Sequence, residues 1–311
     1  MSHEYYDAIT VGHVLLDLRF SVDRFAAPDR ESTILSQSHG VGGSAANVAI
    51  GIRRLGGNST VIAKVGFDDF GKNALEDLVK EGVDVSNIRI QATNGKTGFT
   101  IVIIDSSGQI LMYGHKGVSE ELKPEEINAK VFEKTKHVHI ASLRVDTSAV
   151  AARYAKEKGA FVSFDPGRRI SRLGLEALRP VLSHADLILP NEIEATAITG
   201  EEDYKKAAQV LLDTGVRIVV VKRGGKGVYV LTRDEEFEIP SYLPGKVVDT
   251  TGAGDALAAG IIMGLKRYPL PDALRFATVV AGIKVTRLGS HEIPSLAEVE
   301  AELRKIGFIS K

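Results

Sequence analysis

The sequence predicts an α/β fold, a mostly parallel sheet with helices on both faces and a small accessory sheet beside it. Three observations carry that expectation. Short β-rich runs alternate with helical segments along most of the chain, as strands joined by helical crossovers do. One pair of β-rich runs is joined by Ser-Ser-Gly and breaks the alternation with antiparallel character. Finally, 311 residues at 44% hydrophobic and 25% charged can bury a large core, and neither a repeat nor a low-complexity linker divides them. One domain over 1–311 is expected.

In chain order, Asp7 to Leu18 is β-rich and a polar, broken stretch follows it. Gly42 and Gly43 then precede a helix-like segment from Ala45 to Leu55. Residues 59 to 66 read as a buried strand, and Phe70 to Glu81 carries Leu75, Leu78 and Val79 at helical spacing before Gly82. Thr97 to Asp105 and Gln109 to Tyr113 form the hairpin. From residue 137 the strands HVHIAS, AFVSFD, DLILP and RIVVVK alternate with helices near 147–158, 171–183 and 191–213. A second hairpin, Lys226 to Leu231 with Glu236 to Ile239, precedes three closing helices: Ala253 to Lys266, Pro271 to Arg287 and Ser295 to Ile306. The accessory sheet is expected from two insertions, 14–40 and 88–115.

Composition narrows the partners. The net charge is −1 and no block of five or six like charges occurs, so a nucleic-acid partner is not expected. With 0 Cys there is no thiolate nucleophile, disulfide or Cys-ligated zinc, which suits a reducing compartment. No run approaches the roughly 18 apolar residues that cross a bilayer, and Met1 to Tyr6 is polar. The expected location is therefore cytoplasmic, with no membrane partner.

The strongest local motif is Asp249-Thr250-Thr251-Gly252-Ala253-Gly254-Asp255, placed just before an apolar, Ala- and Gly-rich helix. A helix start exposes unpaired N–H groups, and uncovered glycine backbone lets them approach a phosphate oxygen. An acid there repels phosphate, so Asp255 either accepts a proton from an attacking hydroxyl or complements the helix dipole. Gly42-Gly43-Ser44-Ala45-Ala46-Asn47 sets two glycines before a helix and an amide in its first turn. That pattern suits either a polyol site or a capped helix start.

Together, DTTGAGD and GGSAAN resemble the paired signature of the PfkB or ribokinase-like carbohydrate kinases, and the order of elements matches over roughly 7–308. The resemblance implies a doubly wound α/β core with a small β lid and an ATP-using kinase that phosphorylates a hydroxymethyl group, with ADP left open as an alternative donor. It makes Asp255 the catalytic base and Gly252, Ala253 and Gly254 the anion hole. Gly42, Gly43, Asn47 and Asp17 become sugar ligands, although Asp17 also reads as a strand-end acid in solvent. Asn191 and Glu194, in LPNEIEA, would organise magnesium-bound water, although a capping box explains the same pair. Arg169 of DPGRR would bridge donor and acceptor, or lie with Arg168 in a solvated turn.

Lys222, Gly224 and Gly227 read locally as a glycine hairpin with exposed cations, and by resemblance as part of a nucleotide pocket with Asn191 and Thr278. Asp249, Thr251, Arg287 and Gly289 match positions that hold potassium in many relatives. Three departures bear on the acceptor and donor. Leu15 replaces an Asn of the ribokinase branch and makes LLD similar to some nucleoside kinases, Gly167 replaces an Asn, and Thr278 stands where Asn or His is common. Lys116, Arg144, Arg168 and Arg169 raise a further candidate, a sugar carrying a phosphate or carboxylate. The leading expectation is a sugar kinase, with a nucleoside kinase or a silent sugar or nucleotide sensor as alternatives. A dimer through the lid is also expected. His137 and His139 read as structural.

Overall fold

The computed structural model describes residues 5–308; the ends of the expected domain, 1–4 and 309–311, lie outside the described residues. In the first half the elements are β1 (Ala8–Gly12), β2 (Leu15–Val22), β3 (Ile34–Gly42), α1 (Ser44–Arg54), β4 (Ser59–Gly66), α2 (Asp69–Lys80), β5 (Ile88–Gln91), β6 (Thr97–Asp105), β7 (Ile110–Gly117) and β8 (His137–Ala141). There follow α3 (Val145–Glu157), β9 (Phe161–Asp165), α4 (Gly167–Ser171), α5 (Gly174–Leu182), β10 (Leu187–Ile188), α6 (Glu192–Thr199), α7 (Tyr204–Leu212), β11 (Ile218–Lys222), β12 (Val228–Thr232), β13 (Glu236–Ile239), α8 (Ala253–Leu265), α9 (Leu270–Lys284) and α10 (Leu296–Lys305).

Among the described residues the main sheet has nine strands in the order β13-β12-β11-β10-β9-β8-β1-β4-β5. All neighbours pair in parallel except β11–β12 and β12–β13. From β1 the chain builds outward through β4 and β5, then returns to β1's other side with β8 and continues to β11. That reversal between β1 and β8 makes the sheet doubly wound and opens a crevice at their carboxyl ends.

Alternation along the strands splits the core between the two faces. Ile9 and Val11 of β1 pack with α3, α5 and α7 residues such as Ala152, Leu178 and Leu211, whereas Ala8 packs with Val48, Ala259, Phe276 and Val299. Helices α1, α8, α9 and α10 therefore cover one face and α3 with α5 to α7 the other. Glycines let α8 come close to its neighbour. A methyl group on Gly260 would reach Ala277 Cα at 2.7 Å.

A second sheet, ordered β3-β2-β6-β7, forms the accessory layer. Its limits differ from the expected insertions. Ile88–Gln91 pairs with β4 in the main sheet, and the accessory strands run on to Gly42 and Gly117. The polar stretch after Leu18 is two of its strands, because an exposed sheet has little apolar periodicity to betray it. The run Asp7 to Leu18 is likewise divided at His13 and Val14, where the chain leaves one sheet for the other. The expected helix 191–213 is two helices, separated where Gly200 takes the left-handed conformation at φ 79°. The segment carrying Arg168 and Arg169 is a short helix rather than a turn.

Candidate active site

The crevice between β1 and β8 holds a cavity of about 320 Å³. His13 and Ser142, just past the ends of those strands, form part of its wall. Pairing in the accessory sheet sets Asp17 beside Thr100, and Val102 beside Arg19 and Met112, so one face of that sheet presents Asp17, Arg19, Thr100, Val102, Met112 and Lys116 to the cavity. The other walls are Gly43, Ser44 and Asn47 at the start of α1, and Asp249, Thr251, Gly252, Gly254 and Asp255 at the start of α8.

The turn into α8 depends on Gly252, at φ 78°, where an added Cβ would run into the Ser290 carbonyl. No larger residue fits. The N–H groups of Gly252, Gly254 and Asp255 find no acceptor among the described residues and are free to meet an anion. Ala253, expected in the same hole, instead donates its N–H to the Thr250 carbonyl at 3.1 Å.

Asp255 sits in the first turn of α8, and its Oδ2 accepts a 2.7 Å hydrogen bond from Asn47 Nδ2. Burial pushes its carboxyl up to about 7, despite the opposing hydrogen bonds from Asn47 and Ser44. Asn47 is itself buried, yet its amide oxygen has no partner. An unpaired buried acceptor is costly unless something else fills it, and here it borders the cavity.

Asp17 is held from two sides. Ser290 Oγ donates to its Oδ2 at 3.0 Å, and Arg19 Nη2 reaches both that oxygen and Ser290 Oγ at 3.2 Å. Gly42 does not border the cavity. Its missing side chain makes room for the Asp17 carboxyl, since a Cβ there would lie on that group.

A second cavity, about 420 Å³, lies on the other side of the α8 turn. Its walls include Asn191, Lys222, Gly224, Gly227, Thr250, Ala253 and Thr278, with an apolar side of Tyr242, Leu243, Val247, Leu257 and Val285. Gly254 borders both cavities. The α8 turn thus stands between a chamber lined by charged and apolar side chains and one with a mostly apolar wall. Lys222, ion-paired to Asp165, lies beside that turn. Burial alone would lower its ammonium, but Asp165, Glu194 and Asp255 outweigh burial and raise it.

A family model for pfkB family carbohydrate kinases matches residues 7–296. The chain belongs to that family. It is similar to an ATP-dependent ribose-1-phosphate kinase of Halopiger xanaduensis, 38% identical over 95% of this chain and 97% of the relative. A nucleoside kinase of Methanocaldococcus jannaschii is 30% identical over 95% and 96% of the two chains. Among solved structures, an E. coli ribokinase II with ATP and magnesium superposes with a TM-score of 0.84 at 26% identity, covering 96% of this chain and 99% of its own.

In this pfkB family kinase, Asn191 and Glu194 form a reciprocal capping box at 2.8 Å in each direction. The second Glu194 oxygen takes no hydrogen bond from a described residue, and burial raises its carboxyl. Arg169 does not border the cavity between β1 and β8. Its guanidinium pairs with Glu120, which also bonds His13 Nε2 at 2.9 Å. Arg144 pairs with Asp146, and Arg168 is exposed, so of the four cations named from the sequence Lys116 alone borders the cavity.

Asp249 organises the approach to α8, accepting the Thr251 N–H at 2.8 Å and the Gly289 N–H at 3.0 Å. Burial alone would raise its carboxyl, but those bonds hold it below the usual range. Arg287 turns away to Glu298. His137 and His139 share Ser163 Oγ at 2.8 and 2.9 Å, and among the described residues no three metal-binding side chains cluster.

Arg19, Ser290 and Lys284 escaped the sequence reading, and Ser44 was named only as part of the GGSAAN motif. Arg19 had a signal, since it lies two residues from Asp17 on a strand and so shares its face. Lys284 had one too, as a lone cation in the apolar run VVAGIKV. Ser290 had none, because its contact with Asp17 spans 273 residues.

Proposed function

We propose that this kinase transfers the terminal phosphoryl group of ATP to a hydroxymethyl group of a phosphorylated pentose, with ribose 1-phosphate as the first candidate. The observation that carries this reading is Lys116. It borders the acceptor cavity, makes no hydrogen bond or ion pair with a described residue, and shares that cavity with Arg19. A neutral sugar gives such an ammonium nothing to neutralise, whereas a sugar phosphate does. The name of the Halopiger relative supports the same acceptor.

In this reading Asp17 and the unpaired Asn47 oxygen accept hydrogen bonds from ring hydroxyls. Asp255 takes the proton of the attacking hydroxyl as its oxygen bonds to the terminal phosphorus, and the bond to the ADP oxygen breaks. The free N–H groups at Gly252, Gly254 and Asp255 meet the charge that develops on the transferring group. Lys222 stands beside them. Glu194, with one oxygen uncommitted, and Asn191 suit water-mediated binding of magnesium. When bound there with ATP, that ion supplies neutralisation of phosphate charge. Closure of the accessory sheet over the cavity would exclude water. The whole chain acts as one domain, and two copies pair through the accessory sheet.

A second reading has its own observation. Val102, Ile104, Ile110 and Met112 form an apolar strip along the cavity that would accept a nucleobase. The experiment separates the two: formation of ADP, or of AMP from ADP as donor, is measured with magnesium against ribose 1-phosphate, ribose, other sugars and sugar acids, cytidine and adenosine. We expect ATP-dependent turnover with the highest kcat/KM for a phosphorylated pentose. Lys116→Ala should raise KM for that acceptor about tenfold while leaving KM for ATP unchanged. Preference for a nucleoside or free ribose, with KM indifferent to Lys116, would overturn the anionic acceptor.

A further inference from the structure

The resemblance brings with it a potassium ion at Asp249, Thr251, Arg287 and Gly289, and these residues do not fit one. The last residue of α9, Lys284, is fully buried, and its ammonium donates to the Asp249 main-chain carbonyl at 2.8 Å. The Asp249 carboxylate is spent as well, on the N–H groups of Thr251 and Gly289. A potassium ion held by these carbonyls would share an oxygen with a fixed positive charge in an interior that screens it poorly.

What the ammonium does is visible in the loop it holds. Val248 N–H and Asp249 N–H both donate to the Val285 carbonyl, at 2.8 and 3.2 Å, so the end of α9 is bonded to the irregular segment entering the α8 turn. Lys284 adds a charged bond at that junction, three residues before Gly252 and its free N–H groups. A buried ammonium persists only with negative partners: burial lowers Lys284, with Arg19 adding to it, while the carboxylates of Asp249, Asp255 and Glu292 act to keep the charge. Cationic charge therefore lies under the anion-binding turn and is part of the chain.

We propose that Lys284 takes the place of a monovalent cation, holding the loop from Asp249 to Gly252 in its anion-binding conformation and making the kinase independent of potassium. Lys284 bonds Asp249 and borders neither cavity, so it is a positioning residue. The inference rests on the proposed kinase reaction only where turnover is measured.

The test compares potassium, sodium and tetramethylammonium chloride at equal ionic strength. Melting of the full chain, alone and with ATP and magnesium, should be the same in all three salts. A rise specific to potassium would overturn the proposal, and this arm stands even if no acceptor is turned over. With an active acceptor, wild-type kcat should vary less than about twofold among the salts. Activation by potassium of fivefold or more on the same scale would overturn it. Lys284→Met should lower kcat about tenfold with acceptor KM little changed, and potassium should restore part of the loss where tetramethylammonium does not. A purely structural lysine would show no such selectivity, and wild-type kcat in the variant in every salt would sink the positioning role. If Lys284→Met does not fold, Lys284→Arg keeps the charge, and the wild-type salt comparisons decide.

Discussion

In the proposed reaction Asp255 is the general base. General bases of this kind contribute roughly 10²- to 10⁴-fold, so Asp255→Asn should lose at least about a hundredfold in kcat while still binding ATP. With its carboxyl pushed up to about 7, kcat/KM should rise with pH and level off above neutrality. The same shift has a consequence for folding. The unfolded chain releases this proton near 4 and the folded chain near 7, so between those values the folded state binds more protons and stability falls as pH rises. Asp255→Asn abolishes that loss and should melt above the wild type at pH 8. A variant both inactive and more stable is the signature of a carboxylate kept for catalysis at a cost to folding. Unchanged turnover would remove Asp255 from the mechanism.

Turns and caps decide how the catalytic groups are presented. Gly252 is left-handed and its missing side chain faces the Ser290 carbonyl, so Gly252→Ala must either move residues 288–291 or distort the start of α8. The expected result is loss of most phosphoryl transfer and a lower melting temperature. Gly254→Ala is the contrasting control for stability, since an added Cβ there meets nothing nearer than Lys222 Nζ at 3.6 Å. Equal melting of the two variants would refute the account of the turn. Both site motifs were legible because their small residues are contiguous and each opens a helix, where backbone N–H groups are needed. The parallel core was legible for a similar reason, since its strands are short apolar runs buried on both faces. The accessory strands were harder, because one face is open and Ser36, Ser38 and Gly40 carry no apolar signal. Tertiary pairs were invisible. Nothing local joins Arg19 to Ser290 or Lys284 to Asp249, and Arg169 matched a motif while its partner, Glu120, lay 49 residues away.

At the scale of the whole molecule, acid should unfold this protein through its central strands. Burial lowers His137 to about 3 and His139 to about 4, so both are neutral where unfolded histidine is charged. Below about 6.5 the unfolded chain therefore binds more protons and stability falls with pH, by about 2 kcal/mol for each histidine at pH 5. Asp255 pulls the other way over part of that range, so the fall in melting temperature from pH 7 to 5 should be steeper in Asp255→Asn. It should be shallower in His137→Gln/His139→Gln. Association depends on a different surface. Ile34 and Leu35 on β3, and Leu111 and Tyr113 on β7, are exposed on the two edge strands of the accessory sheet, where backbone N–H and C=O groups are also unpaired. A second copy would cover both, which is the basis for the proposed dimer. Wild-type protein should sediment at twice the mass of the chain. Leu111→Asp, outside the cavity wall, should shift it toward monomer and raise acceptor KM if the partner steadies the sheet over the cavity. A monomer at every concentration tested would show that the sheet works without a partner, leaving its apolar edge to the substrate side alone.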